Sequence, residues 1–340
     1  MRNIKRTIII LLAAVMMAVM ASCVPGTPVA QPPEGQPGGA SETNGSGGGS
    51  QAPAPNSLEV SPEVKQKVTE DREGNPITLP DKIETIISMG PSNTEILIAL
   101  GFADMIIAAD EYSDNIEGLK PGIPKFDMMQ PDGEQIISLM PNVIFVTGMS
   151  KFGGAEPYKA VSDVGICLIY IPSSDSLEAI MEDVRFIAAV LDAQAAGDAI
   201  VEGMKREIEA VRAIGETIAD KKTVYFEISA APWMYSFGSG VFLHEMIELI
   251  GAVNIFEDQD SWISVADEVL LAADPDVILT SVNYLDDPIG EILSRPGWGG
   301  ITAVSNRDVY IIDTDASNRP SHNVVIALLE MAKAVYPELY

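Results

Sequence analysis

Glu134-Gln-Ile-Ile-Ser-Leu-Met-Pro141-Asn-Val-Ile-Phe145 and Glu268-Val-Leu-Leu-Ala-Ala-Asp-Pro275-Asp-Val-Ile-Leu279 are one pattern written twice, 134 positions apart. Each reads as a short helix opened by Glu, stopped at Pro, then a buried strand. A second pair echoes it. Glu95-Ile-Leu-Ile-Ala-Leu-Gly101 and Glu245-Met-Ile-Glu-Leu-Ile-Gly251 are helices ended by a C-terminal Gly. Both halves therefore repeat the same order of elements, which predicts two similar lobes with a ligand cleft between them.

The rest of the chain extends that reading. Residues 58–80 predict a β-hairpin turning at Arg72-Glu-Gly-Asn-Pro76. Strand Ile83–Ile87, a loop and cap at Gly90-Pro-Ser-Asn-Thr94 and helix Glu95–Leu100 come next. Strands Met105–Ala109, Val143–Thr147 and Cys167–Ile171 follow, with a helix after Asp132. Strands alternating with helices predict a mainly parallel sheet covered on both faces, an α/β fold. A helix opening at an Asp175/Glu178 capping box keeps an apolar stripe through Leu191. A second helix, about 193–219 and ~40 Å long, is a stiff connector between lobes. The lobes are thus 58–192 and 221–340, joined through 193–220.

Arg2, Lys5 and Arg6 precede an apolar run from Thr7 to Met20 and then Met20-Ala-Ser-Cys23. That order reads as a secretory signal over 1–22, with an apolar run too short for an ordinary spanning helix. Cys23 behind small residues resembles a lipobox, so Cys23 is the expected lipidation site. An ordinary signal peptide that happens to lie near a Cys is the alternative. Residues 23–57 add a Pro/Gly/Ser linker that would reach roughly 30–35 Å as a coil. These features predict a lipid-anchored protein on the outer face of the cell membrane.

The formal charge is −28, and removal of the three cations of residues 1–22 takes it to −31. So acidic a chain argues against nucleic acid or direct contact with anionic lipid. Cys167 is the one other cysteine, in an apolar strand pattern, and reads as a buried inert thiol. Two histidines, His244 and His322, are too few for a bare transition-metal site. No Gly-x-Ser-x-Gly elbow, P-loop or Gly-x-Gly-x-x-Gly fingerprint occurs. An enzyme is not expected.

The stretch Ile83-Glu-Thr-Ile-Ile-Ser-Met-Gly-Pro-Ser-Asn-Thr-Glu-Ile-Leu-Ile-Ala-Leu-Gly101 resembles the opening of the helical-backbone (class III) substrate-binding proteins of ABC importers. Met129-Gln-Pro-Asp-Gly-Glu134, Leu139-Met-Pro-Asn-Val-Ile144, Gly251-Ala-Val-Asn-Ile255, Arg295-Pro-Gly-Trp298 and Ala303-Val-Ser-Asn-Arg-Asp-Val-Tyr310 continue the series. These are the binders of ferric siderophores, cobalamin and haem. The resemblance implies two α/β lobes joined by one long rigid helix. It also implies a monomer that docks on a permease dimer, with its ATPase, through one glutamate per lobe. By position these are Glu134 and Glu268. The alternative is that both are ordinary helix-start acids.

In the first lobe the resemblance points the ligand to Pro91, Ser92, Tyr112, Met128 and Met129. In the second it points to Trp233, Tyr235, Trp262, Arg319 and His322. Tyr and Trp supply apolar area with a polar handle, Met adapts to irregular surfaces, and Arg319 suits an anionic group. Each aromatic also fits ordinary core packing, and Trp298 fits it better than the cleft. Met129 aligns with an axial Met of some haem binders, but Asn283 stands where their His would be. Lys125, Lys151, Arg295 and Arg319 are the only cations near the expected cleft segments. The expected ligand is a metal chelate, a ferric siderophore ahead of a corrinoid and then haem, with no permanently bound cofactor. A ligand-presenting sensor or adhesin lipoprotein is the reading from another class.

Overall fold

Alternate residues of the central strands turn to opposite faces, and both faces are buried. In strand β1 (Ile86–Met89), Ile86 joins one apolar cluster and Ile87 another. That two-residue alternation with both sides apolar is what a covered parallel sheet requires. The computed structural model describes residues 68–340. The signal segment, Cys23, the linker and residues 58–67 of the first hairpin arm lie outside the described residues. Of the hairpin, the turn is described: Glu70 bridges Pro76, with Gly74 at φ +80°.

The first lobe continues with helix α1 (Pro91–Ala99), strands β2 (Ile106–Asp110) and β3 (Lys125–Phe126), helix α2 (Gly133–Ser138) and strand β4 (Val143–Thr147). Helix α3 (Lys159–Asp163), strand β5 (Cys167–Ile171) and helix α4 (Leu177–Val190) complete it. Helix α5 (Gln194–Gly215) leads to the second lobe. There β6 (Thr223–Glu227), β7 (Tyr235–Phe237), α6 (Phe242–Leu249), β8 (Val253–Asn254) and β9 (Trp262–Ser264) come first. They are followed by α7 (Asp267–Ala273), β10 (Val277–Thr280), α8 (Pro288–Leu293), α9 (Thr302–Asn306), β11 (Val309–Ile311), α10 (Thr314–Asn318) and α11 (Val324–Val335).

One sheet runs β3-β2-β1-β4-β5 and the other β8-β6-β10-β11, all strand pairs parallel. Remove β3 and the two orders match strand for strand: β2-β1-β4-β5 against β8-β6-β10-β11. The repeat read from the sequence is therefore a repeat of topology. Strands β7 and β9 form a separate antiparallel ribbon.

One face of both sheets shares a single core. Val143 and Phe145 of β4 and Val224 and Phe226 of β6 lie in it together with Val201, Met204, Ile208 and Val211 of α5. Those four positions follow helical spacing, so one stripe of α5 is buried, at roughly 1.5–3 kcal/mol per side chain. The outer faces have their own cores. Ile144 packs with Ile136 of α2, and Ile278 packs with Leu270 of α7. The two repeated short helices thus occupy equivalent outer positions.

Several boundaries differ from the sequence reading. Helix α1 begins at Pro91, with Gly90 as its N-cap, because Pro is preorganised for the first helical position. Ser176, not the Asp175/Glu178 box, caps α4 by accepting from the Ala179 N–H at 3.2 Å. Helix α5 has 22 residues, ~33 Å rather than ~40 Å. It ends at Gly215, which packs against the Leu249–Gly251 backbone so closely that a Cβ there would overlap it, and a single further turn through Ile218 closes the helix end.

Candidate functional site

In parallel α/β sheets ligands bind outside the carboxyl ends of the strands. Here the loops leaving those ends in the two lobes touch. The Arg319 guanidinium, in the α10–α11 loop, donates from Nη1 to Glu95 Oε1 at 2.9 Å. From Nη2 it donates to the Tyr112 carbonyl at 3.1 Å and to Asn115 Oδ1 at 2.9 Å. Asn323 Nδ2 donates to the other Glu95 oxygen at 2.9 Å, and Ser321 Oγ donates to that same oxygen. Glu95 is buried at 7% exposure, so its charge is satisfied wholly by second-lobe groups.

That placement changes the role expected of Arg319. Its charge is committed to Glu95 and, at 2.9 Å, to Asp315, rather than held open for a ligand anion. His322 lies between the Glu95-binding residues Ser321 and Asn323. Burial pushes its pKa below the ordinary histidine value, and the Glu95 charge only partly offsets this. Its Nδ1 has no hydrogen-bond partner among the described residues.

On the first-lobe side, Pro91 and Ser92 open α1 and are half-buried. Tyr112, also half-buried, follows β2 in a single turn capped by Asp110, whose Oδ1 accepts from the Tyr112 N–H at 2.8 Å. Burial raises the Tyr112 hydroxyl pKa, and the charges of Asp127, Glu111 and Asp110 add to the shift. Met128 is buried, its carbonyl accepting from the Tyr158 hydroxyl at 2.9 Å. Met129 is half-buried, its N–H held by Asp127 at 2.7 Å.

On the second-lobe side, Trp233 stands out at 60% exposure in the loop between β6 and β7. The Tyr284 hydroxyl accepts from the Ala230 N–H at 2.8 Å and so ties that loop to the one after β10. Tyr235 is buried in the β7–β9 ribbon, and Trp262 is half-buried with its ring edge-on to Phe237 at 6.0 Å. Trp262 serves packing first, because its side of the ribbon, with Phe237, lies against the shared core. Trp298 is core, as its Pro/Gly surroundings suggested.

Glu134 and Glu268 are each the second residue of their helices, α2 and α7. Both are exposed, and neither carboxylate has a hydrogen bond or ion pair among the described residues. Exposed apolar side chains accompany both: Met140 beyond α2, and Val269 and Leu271 on α7. A carboxylate in a first helical turn is favoured by the helix dipole and is free for an incoming arginine.

Sequence reasoning missed Glu95, Asn115 and Tyr284. Glu95 had a signal, being the lone carboxylate of the apolar run Ile86–Leu100. A cavity of about 350 Å³ lined by Asp71, Lys151, Tyr158, Cys167 and Tyr170 lies along the β5 edge, entirely within the first lobe. It takes no residue from the second lobe. Among the described residues no helix is long and apolar enough to cross a membrane, and no cluster of metal-ligating side chains occurs.

A family model described as periplasmic binding protein matches residues 86–316. The chain is 27% identical over 283 residues to the uncharacterized ABC transporter substrate-binding lipoprotein YvrC of Bacillus subtilis, covering 82% of this chain and 88% of that protein. It is 22% identical to a cobalamin-binding protein of Halobacterium salinarum, over 79% of this chain and 74% of that one. Among solved structures, a possible iron-binding (periplasmic solute-binding) protein of Staphylococcus epidermidis superposes with a TM-score of 0.67 at 27% identity. That match covers 75% of this chain and all of the other.

Proposed function

The chain belongs to the periplasmic binding protein family, and from that premise we propose that it captures a metal chelate between its lobes and delivers it to an ABC-importer permease. The observation that carries this reading is the pair Glu134 and Glu268. Each is an exposed, unpartnered carboxylate in the first turn of a topologically equivalent helix, one per lobe. A two-fold permease dimer presents two equivalent surfaces, and a repeated acid on a repeated scaffold matches that symmetry. The exposed Met140, Val269 and Leu271 supply the apolar contact that a specific interface needs beside its charges.

The ligand is a ferric siderophore or a corrinoid. The exposed Trp233 with Tyr112 and Met129 supports a large, partly apolar complex, and the relatives named above are a cobalamin binder and a possible iron binder. Cys23 lipidation would hold the protein at the outer membrane face, in keeping with the lipoprotein relative.

The test is uptake in cells or proteoliposomes holding the permease and ATPase. Glu134→Ala with Glu268→Ala should abolish uptake while ligand affinity stays unchanged. Weakened ligand binding in the purified double variant, or undiminished uptake, would sink the docking assignment.

A further inference from the structure

With the chelate reading above as its premise, we propose that the cleft selects by charge, admitting uncharged or cationic metal complexes and rejecting anionic ones. All four cations beside the cleft loops are neutralised within the protein. Lys125 Nζ lies 3.1 Å from Asp114, and Lys151 Nζ lies 2.9 Å from Glu73 and over the Tyr170 ring. Arg295 donates to Glu227 at 2.6 and 2.8 Å and also binds Glu291. Arg319 holds Glu95 and Asp315. Each arginine therefore sits with two carboxylates, so both clusters carry a net negative charge.

Among the described residues, every cation at these loops is already paired with a carboxylate, Lys125 by charge alone, since its buried Nζ makes no hydrogen bond. The balance beside Tyr112 is acidic as well, since the charges of Asp127, Glu111 and Asp110 all act on its hydroxyl. His322 adds no positive charge near neutral pH, because burial favours the neutral ring. An anionic complex entering this cleft would lose its water without gaining a counter-charge, which is costly, and would meet like charge as well. A neutral complex avoids both costs, and a cationic one gains from the same field.

The test is calorimetric titration of the purified full chain with six probes. Three are uncharged or cationic: a cyclic ferric trihydroxamate, a linear cationic ferric trihydroxamate and aquocyanocobinamide. Three are anionic: a ferric tricatecholate, haemin and molybdate. We expect saturable binding of at least one of the first three, about a hundredfold or more tighter than any of the anions. Glu95→Gln with Asp315→Asn frees Arg319 and should improve affinity for the tricatecholate by about tenfold.

An anionic probe that binds as tightly as the best of the first three overturns the charge inference and leaves the chelate reading intact. Saturable binding of none of the six overturns the chelate reading and this inference with it. A folded double variant with no gain for the tricatecholate overturns the part assigned to Arg319.

Discussion

Glu95 and Arg319 stand 224 residues apart in the chain, yet a carboxylate oxygen of one lies 2.9 Å from a guanidinium nitrogen of the other, across the two lobes. The sequence repeat pairs Glu95 with Glu245, and Glu245 also reaches a distant helix start: its Oε2 accepts from the Leu177 N–H at 2.9 Å, at the first turn of α4. Glu95 binds the residues that precede α11, and Glu245 binds the residue that opens α4. The repeated glutamates thus fix the starts of helices remote in sequence.

Glu95→Ala leaves the Arg319 guanidinium, at 11% exposure, without its main buried partner. Removing one member of a buried pair costs about 3–5 kcal/mol, whereas replacing both by apolar groups costs far less. Urea unfolding should therefore find Glu95→Ala with Arg319→Met more stable than Glu95→Ala alone. A loss under about 1 kcal/mol for the single variant would show that the pair does not hold the lobes together.

Glu245→Ala removes the acceptor for one α4 N–H, and Ser176→Ala removes the acceptor for another. Each should cost about 0.5–2 kcal/mol by the same unfolding measurement. The two bonds serve different donors, so the losses should be close to additive. Strong non-additivity would mean that either residue can replace the other.

Much of this architecture was legible in the sequence, and the reasons are specific. Parallel strands buried on both faces read as apolar runs, and the Pro-Asn/Asp-Val-Ile repeat located β4 and β10 directly. Two-residue strands such as β3 and β8 carry too little pattern to be seen. Helix ends depend on which side chain reaches which N–H, hence Ser176 where Asp175 was expected. Arg319 read as a free cation because its loop is polar, and no local pattern reports a partner 224 residues away.

Gly215 and Gly251 meet where α5 ends against the end of α6. A Cβ on Gly251, whose φ is +79°, would lie 2.6 Å from the Gly215 carbonyl oxygen, and one on Gly215 would lie 2.8 Å from the Gly251 nitrogen. Both contacts are with backbone, which has no rotamer to yield. Gly251→Ala should therefore destabilise by about 1–3 kcal/mol from strain and overlap. A thermal melt unchanged within error would contradict this close approach.

His322 predicts a pH signature. Its folded pKa lies below the ordinary value of about 6.5, so below that pH the unfolded chain binds a proton that the folded chain resists. Its effect on stability is therefore flat above about pH 7 and increasingly unfavourable as pH falls beneath about 6.5. Asp110, Asp183 and Glu227, raised by burial, act in the opposite sense: their contribution is present below about pH 4 and lost as pH rises through their folded values. Those terms are common to wild type and His322→Gln and cancel in the difference. Stability of the variant relative to wild type should rise on acidification from pH 7 to 5. A constant difference would place the imidazole in water.

The most direct test of an inter-lobe chelate site is tryptophan emission, because Trp298 is core, Trp262 is half-buried and Trp233 is exposed beside the strand-end loops. Titration with a ferric hydroxamate and with cobinamide, corrected for inner filtering by free chromophore, should give saturable quenching by one of them. Trp233→Ala should raise the dissociation constant for that ligand at least about tenfold when measured by calorimetry, the scale of ~1.4 kcal/mol for a lost aromatic contact. Quenching that never saturates, or affinity unchanged by Trp233→Ala, would contradict a ligand held between these lobes.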